Sequence, residues 1–489
     1  MNSTKLNETA LQSLPDNVAV PNYDRSALKA GILHIGVGNF HRAHQAVYLH
    51  ELFSLGEDHD WALIGAGIKP YDTAMRERLQ QQDWLTTVVE LDPEGFTAKV
   101  AGSMIDFIEV DPQAVIEKLS SPEIRIVSLT ITEGGYFMDD RTGGFDHKHP
   151  EIVHDVKNPD APETVFGVII AAIQKRRANG VAPFTVMSCD NLPENGIITR
   201  QAVLGLAMDM SPDLEKWIGG NVSFPNSMVD CITPATSDRE RAMVEERFGI
   251  IDSVPVACEP FRQWVMEDKF PSGRPALEKV GVEFVSEVAP YELMKLRILN
   301  GGHAAIAYPA ALMGYQFVHD AMADPLVEGF LTKLETSEII PTVTSVPGVD
   351  FQKYLEKVRE RFSNAAVADT IPRLCLDGSN RQPKFILPTI MDRLSGGDSI
   401  GGLALEVALW CRYCAGTDDA GNAIELVDEK ASRLTEHALR AKDNPVAFLK
   451  MTDIFGQLGE NAEFTEAFSA ALASLWSKGT KATLQAYLA

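Results

Sequence analysis

Gly31-Ile32-Leu33-His34-Ile35-Gly36-Val37-Gly38-Asn39-Phe40-His41-Arg42-Ala43-His44 is the stretch on which the fold turns. Gly31 to Val37 is an apolar run with the look of a strand. A helical period follows from Arg42 to Leu55. Between them, Gly36 permits a tight turn. Gly38 lets a diphosphate approach bare backbone, and the next helix offers its N-terminal amides. The usual third glycine is absent, because His41 stands there. Strand, glycine turn and helix start in this order read as a dinucleotide-binding turn. Gly36, Gly38, Asn39, Phe40, His41 and Arg42 are its candidate cofactor-binding residues.

Working outward, Trp61 to Ile68 reads as a second strand. Ile124 to Thr132 is longer and nearly all apolar, as suits a strand buried on both faces. A helix over 163–178, a strand from Ala182 to Ser188 and a short strand from Ser227 to Cys231 follow. The alternation predicts an α/β domain with a mostly parallel sheet. Beyond about residue 290 the texture becomes helical, over 290–313, 323–339, 350–362, 401–415, 427–441 and 462–478. A chain of 489 residues is too long for one core. The expected division is a dinucleotide-binding domain over 1–286 and a mostly α-helical substrate-binding domain over 287–489.

Asp72 lies four residues past the second strand as read, where an acid bonds the ribose hydroxyls and disfavours NADP. Lys69, which could accept a phosphate, works against that preference. The other reading of Asp72 is a solvated helix cap. Asp190-Asn191 and Glu133 both follow strands at their carboxyl ends, the edge where open α/β sheets bind ligands. An ordinary loop pair is the competing reading for Asp190-Asn191.

Bulk properties narrow the class. Net charge is −24, from 44 basic and 68 acidic residues. That argues against nucleic acid or an anionic membrane as partner. No run of 18 uncharged apolar residues suggests a membrane span. The first 30 residues lack the pattern of a secretory signal, so a cytoplasmic location is expected. Six cysteines suit a reducing compartment. The one close pair, Cys411 and Cys414, sits in a helical pattern and reads as core. Histidines are scattered and no acids cluster, so no metal is expected. A monomer or weak oligomer fits the charge and size.

Chemistry concentrates in Lys295-Leu296-Arg297-Ile298-Leu299-Asn300-Gly301-Gly302-His303. On a uniform α-helix with Lys295 at zero, His303 falls at about 80° and Asn300 at about 140°. Amine, imidazole and amide share one side, an arrangement suited to moving a proton to or from an alcohol oxygen. Free lysine titrates near about 10.4 and is a poor base at pH 7. Burial and a positive nicotinamide ring would both disfavour its ammonium form. Glu292, on the same side at about 60°, is either a proton relay or a surface charge pairing with Lys295.

These segments, with Ser128 to Tyr136, Met187 to Asn191 and Cys258-Glu259-Pro260-Phe261, resemble the polyol-specific long-chain dehydrogenase/reductase family across nearly the whole chain. The resemblance implies a metal-free, NAD-dependent oxidoreductase. It implies an expanded Rossmann-type N-terminal domain with a mostly α-helical C-terminal domain. The family's general base falls on Lys295, its oxyanion-binding amides on Asn191 and Asn300, and its substrate-orienting histidine on His303. Substrate contacts fall on Asp230 and Arg373, and on Arg381, where the family has lysine. Gly302 stands where serine is common. The implied substrates are a polyol and its 2-ketose, D-mannitol and D-fructose first. D-fructuronate with D-mannonate, or D-arabinitol, are the alternatives. A nicotinamide-sensing protein without turnover would be expected to have lost Lys295 or Asn300, and both are present.

Overall fold

The computed structural model describes residues 3–139 and 143–489. The chain divides into two compact units, Met1–Ala289 and Pro290–Ala489.

In the first unit a five-stranded parallel sheet carries the site loops. Its strands are β1 (Ala30–Ile35), β2 (Ala62–Ala66), β3 (Met104–Phe107), β4 (Ile126–Leu129) and β5 (Thr185–Ser188), in the order β3-β2-β1-β4-β5. That is the Rossmann order, reversing between β1 and β4. Side chains alternate across the sheet, as the two-residue strand period requires. Leu33, Ile35, Ile64, Val127, Leu129 and Val186 enter one core with the helices α2 (Pro112–Leu119), α3 (Val165–Ala178) and α4 (Asn195–Met210). Ile32, Leu63, Ile126 and Met187 enter the other with Leu49, Leu52 and Phe53.

The expected strands occur, shorter than read. The run Ile124 to Thr132 pairs only over Ile126–Leu129, because its last residues turn into a site loop. Three further sheets occur among the described residues, a parallel pair of Thr4–Lys5 with Ile250–Ile251 and two mixed sheets, and of their strands only the one at Ser227 is read from the sequence. In one mixed sheet, β6 (Ser227–Asp230) lies antiparallel to β7 (Gln263–Glu267), which runs parallel to β8 (Glu283–Val285). The other orders Val256–Cys258, Thr86–Glu90, Thr97–Ala101 and Val18–Ala19. The mostly parallel expectation therefore holds for the central sheet and misses these mixed additions.

The second unit is helical, with no strand among its described residues. Its central element is α5 (Gly301–Leu312), entered through a wider π-helical turn at Lys295–Asn300. Around it pack α6 (Pro325–Leu334), α7 (Phe351–Phe362), α8 (Ile371–Leu374), α9 (Gly378–Phe385) and α10 (Gly401–Cys414). The start of α10 is capped from a distance, where the buried Glu338 carboxylate accepts the N–H groups of Gly402 at 2.7 Å and Leu403 at 2.9 Å. The helix read over 462–478 ends where Gly479 breaks the stretch Ala462–Leu488 at φ 79°. Cys411 and Cys414 are buried on α10 as free thiols. No helix among the described residues is long and apolar enough to cross a membrane.

Candidate functional site

At the switch point the glycine turn is locked from below. Gly36 has φ 96°, and a Cβ there would collide with the Thr130 carbonyl oxygen just past β4. Its own carbonyl accepts from Thr130 Oγ1 at 2.6 Å. Buried His34 on β1 reaches Thr130 Oγ1 at 2.9 Å and Ser128 Oγ at 2.8 Å. Gly38 is open, since a Cβ there would meet nothing closer than the Gly36 oxygen at 3.9 Å. That space and the following amides fit a diphosphate.

The side chains after Gly38 serve the turn itself. Asn39 donates to Thr236 Oγ1 at 3.0 Å and accepts from Arg42 at 2.7 Å. Arg42 is buried and also donates to the carbonyls of Gly38 and Val254. Phe40 stacks on His44 at 4.8 Å. His41, in the place of the third glycine, stacks face to face on His34 with centroids 3.4 Å apart. Two imidazoles thus supply the close helix–strand packing that a glycine usually allows. Burial holds both rings neutral, His34 at about 3 and His41 well below its ordinary value.

Asp72 lies in the first turn of α1 (Asp72–Gln80), and its Oδ2 accepts the Lys69 N–H at 3.0 Å. Burial pushes its carboxyl up. It packs on Gly67 just beyond β2, a placement that fits a ribose. Lys69 is paired with Glu151 at 2.5 Å, so its ammonium is already matched by a carboxylate.

After β4 the backbone enters a left-handed conformation at Thr132, φ 62°. Asp190, just past β5, holds that loop. Its carboxylate accepts from Ile131 N and Thr132 N, each at 2.9 Å, and from the Tyr136 hydroxyl at 2.6 Å. Burial pushes the carboxyl up, and exposed Glu133 nearby adds to this. Asn191 follows with an exposed side chain. Asn195 escaped the sequence reading. It donates to the Asp190 carbonyl at 3.1 Å and to the Ser227 carbonyl at 2.8 Å, and accepts from Ser227 N at 2.9 Å. It ties the Asn191 loop to β6, whose last residue is buried Asp230. An asparagine opening a helix carries no sequence sign of such a clamp.

In the second unit the wide turn corrects the uniform-helix angles. Over Lys295–Asn300 the repeat is i→i+5, so Asn300 follows Lys295 as an i+4 residue does in an α-helix, instead of lying about 140° away. Lys295 is 9% exposed and Asn300 half-buried. His303 lies in α5, stacked on Phe362 at 4.3 Å, its Nε2 buried without a hydrogen-bond partner. Burial, then the charges of Arg373, Arg381, Arg361 and Lys295, push the imidazole well below its usual value. Those charges show that Lys295, His303, Arg373 and Arg381 converge within this unit. Arg361 is a cation the sequence did not mark.

The two substrate-arginine candidates are partly engaged. Arg373 grips Asp369 through both Nε and Nη2. Arg381 Nη1 donates to the carbonyls of Leu374 at 2.7 Å and Leu376 at 3.4 Å. Among the described residues no group of three or more His, Cys, Asp or Glu could hold a metal ion.

Two family models match this chain, the mannitol dehydrogenase Rossmann domain over residues 30–279 and the mannitol dehydrogenase C-terminal domain over 287–476. The chain belongs to the mannitol dehydrogenase family. A mannitol 2-dehydrogenase of Cereibacter sphaeroides is 56% identical over 475 residues, covering 97% of this chain and 99% of that protein. One from Phaeosphaeria nodorum is 41% identical, covering 99% and 85%. Among solved structures, Pseudomonas fluorescens mannitol 2-dehydrogenase, in a ternary complex with NAD and D-mannitol, superposes with TM-score 0.89 at 45% identity, covering 99% of each chain. A substrate-free D-sorbitol dehydrogenase gives TM-score 0.90 at 36% identity, covering 98% and 100%. Membership of the mannitol dehydrogenase family accounts for the pairing of a Rossmann unit with a helical one.

Proposed function

We propose that this chain is an NAD-dependent, metal-independent polyol dehydrogenase that interconverts D-mannitol and D-fructose. The observation that carries the proposal is the convergence of Lys295 and neutral His303 with Arg373 and Arg381 beside the wide turn that bears Asn300. Bound NAD would accept a hydride from the carbinol carbon. Lys295 takes the hydroxyl proton, or returns it in the reductive direction. Asn191 and Asn300 donate to the developing alkoxide. Neutral His303 orients a substrate hydroxyl. Asp230, Arg373 and Arg381 serve the remaining hydroxyls. The loops at Gly36–Gly38 and Asp72 hold the diphosphate and ribose, and the Lys69–Glu151 pair favours NAD over its phosphorylated form.

A uronate substrate would want an unmatched cation for its carboxylate. The Arg373–Asp369 pair is already neutralised, and Arg381 spends donors on backbone carbonyls. Both favour hydroxyl recognition. The deciding experiment follows nicotinamide absorbance with NADH against D-fructose and D-fructuronate, then with NAD against D-mannitol, D-arabinitol and D-sorbitol. Turnover with fructose and mannitol is expected. Preference for fructuronate would overturn the substrate assignment. EDTA should leave activity intact, and chelator inactivation reversed by zinc would refute the metal-free mechanism.

A further inference from the structure

Arg381 is followed on α9 by Gln382, whose side chain turns inward and meets Glu406 of α10. Gln382 is 1% exposed and Glu406 0%. The amide Nε2 donates to Glu406 Oε1 at 2.6 Å. Two atoms of this pair remain buried without a partner, Gln382 Oε1 and Glu406 Oε2. Both are acceptors if Glu406 is ionised, and unmatched buried acceptors are unfavourable. One proton on Glu406 Oε2 removes both deficits. The acid O–H then donates to Gln382 Oε1 while the amide donates to Glu406 Oε1, closing a two-bond ring between carboxylic acid and amide.

We propose that Glu406 is a neutral carboxylic acid in the folded protein, and that its two-bond pair with Gln382 is the positioning element that fixes Arg381. The substrate role of Arg381 rests on the function proposed above. The pair sets the rotation of α9 about its axis, and Arg381 is the adjacent residue on that helix. The fit around it is close. A Cβ at Gly378, in the first turn of α9, would lie 2.5 Å from Trp410 Nε1 and 2.9 Å from the Tyr308 hydroxyl. Tyr308 of α5 is the titratable group facing Glu406, and Arg381, Cys375 and Cys414 face Tyr308 in turn. From α6 and the C-terminal helix, Leu334 and Tyr487 meet Gly402, one turn before Glu406. Burial pushes the Glu406 carboxyl up to about 8, against the lowering effect of the Gln382 bond.

Glu406→Gln tests the proposal, because its amide reproduces both halves of the ring without a titrating proton. The sign follows from linkage. Between the ordinary glutamate value and about 8 the folded protein holds a proton that the unfolded chain has released, so stability falls as pH rises. The folding equilibrium constant of wild type, divided by that of Glu406→Gln, should drop about tenfold per pH unit from about pH 5 to 8 and level off above. A ratio independent of pH would overturn the neutral acid.

The positioning role has its own readout. Wild-type KM for D-mannitol should climb above about pH 8 with kcat little changed by this ionisation, while KM of Glu406→Gln stays flat. An equal climb in both proteins would overturn the link to Arg381. Glu406→Leu should raise KM about tenfold or more, and a KM equal to wild type would count against the proposal. Should that variant fail to fold, the Glu406→Gln comparison decides alone. Arg381→Ala separates the two layers. An unchanged KM would refute the substrate role of Arg381 while leaving the pH-dependent stability ratio in force.

Discussion

Lys295 stands in a wide turn at 9% exposure, with Asn300 one turn on and a neutral imidazole beyond. If it is the base, Lys295→Ala should bind NADH almost as wild type does, by fluorescence titration, yet lose most turnover; near-normal turnover would sink the assignment. Amine, amide and imidazole were legible in the sequence because all three lie within nine residues. Their angles were not, since a π turn follows from tertiary packing and leaves no periodic trace. Glu335 was equally illegible. It is fully buried with neither oxygen partnered, and burial pushes it well above its usual value. Only the fold brings it against Gly302, where a Cβ would sit 3.4 Å from its Oε1. A serine there would fit at ordinary contact distance and offer a hydroxyl. Gly302→Ser should therefore raise stability by about 1 kcal/mol, from the new hydrogen bond and the loss of a helical glycine. A lower melting temperature would contradict this reading.

At the scale of elements, three loops leave the carboxyl ends of β1, β4 and β5, and one carboxylate organises two of them. Asp190 satisfies Ile131 N, Thr132 N and the Tyr136 hydroxyl. Asp190→Asn replaces one acceptor oxygen by a donor that faces a donor. The expected loss is about 2 to 4 kcal/mol in chemical denaturation. NAD affinity should fall with it as the Thr132 loop loosens. A variant as stable as wild type would show that the loop is held by its backbone alone. The strand–glycine–helix signal made β1 readable, and the long apolar run made β4 readable. Thr86–Glu90 and Val256–Cys258 pair across more than 160 residues of sequence, and a local pattern cannot announce such a partner. The tie that Asn195 makes to β6 spans 32 residues, also too far for a local pattern to announce.

Across the whole molecule, neutral buried groups of two kinds oppose each other as pH changes. Burial depresses His34 to about 3 and His50 to about 4, and holds His41 and His303 well below the ordinary value. The unfolded chain therefore takes up protons first as pH falls, and stability is lost below about pH 6.5. Glu335 and Glu406 are raised, so the folded chain keeps protons that the unfolded one releases, and stability is lost as pH climbs above the ordinary glutamate value, for Glu406 up to about 8. Each group contributes a slope of about 1.4 kcal/mol per pH unit within its window. Unfolding free energy measured by denaturant titration should peak near about pH 6 to 7. A curve still rising between pH 7 and 8 would contradict the burial of these glutamates.

The stack of His41 on His34 bears on how this turn could be redesigned. In the three-glycine form of the motif, the helix comes close to the strand because nothing stands between them. Here the spacing is filled by two rings, one of which also bonds β4. Transplanting the common motif by His41→Gly alone would strip one ring from the stack and leave His34 facing a void. Changing His34 alone would release Ser128 and Thr130. The two positions are epistatic, so cofactor engineering at this turn has to move them as one unit.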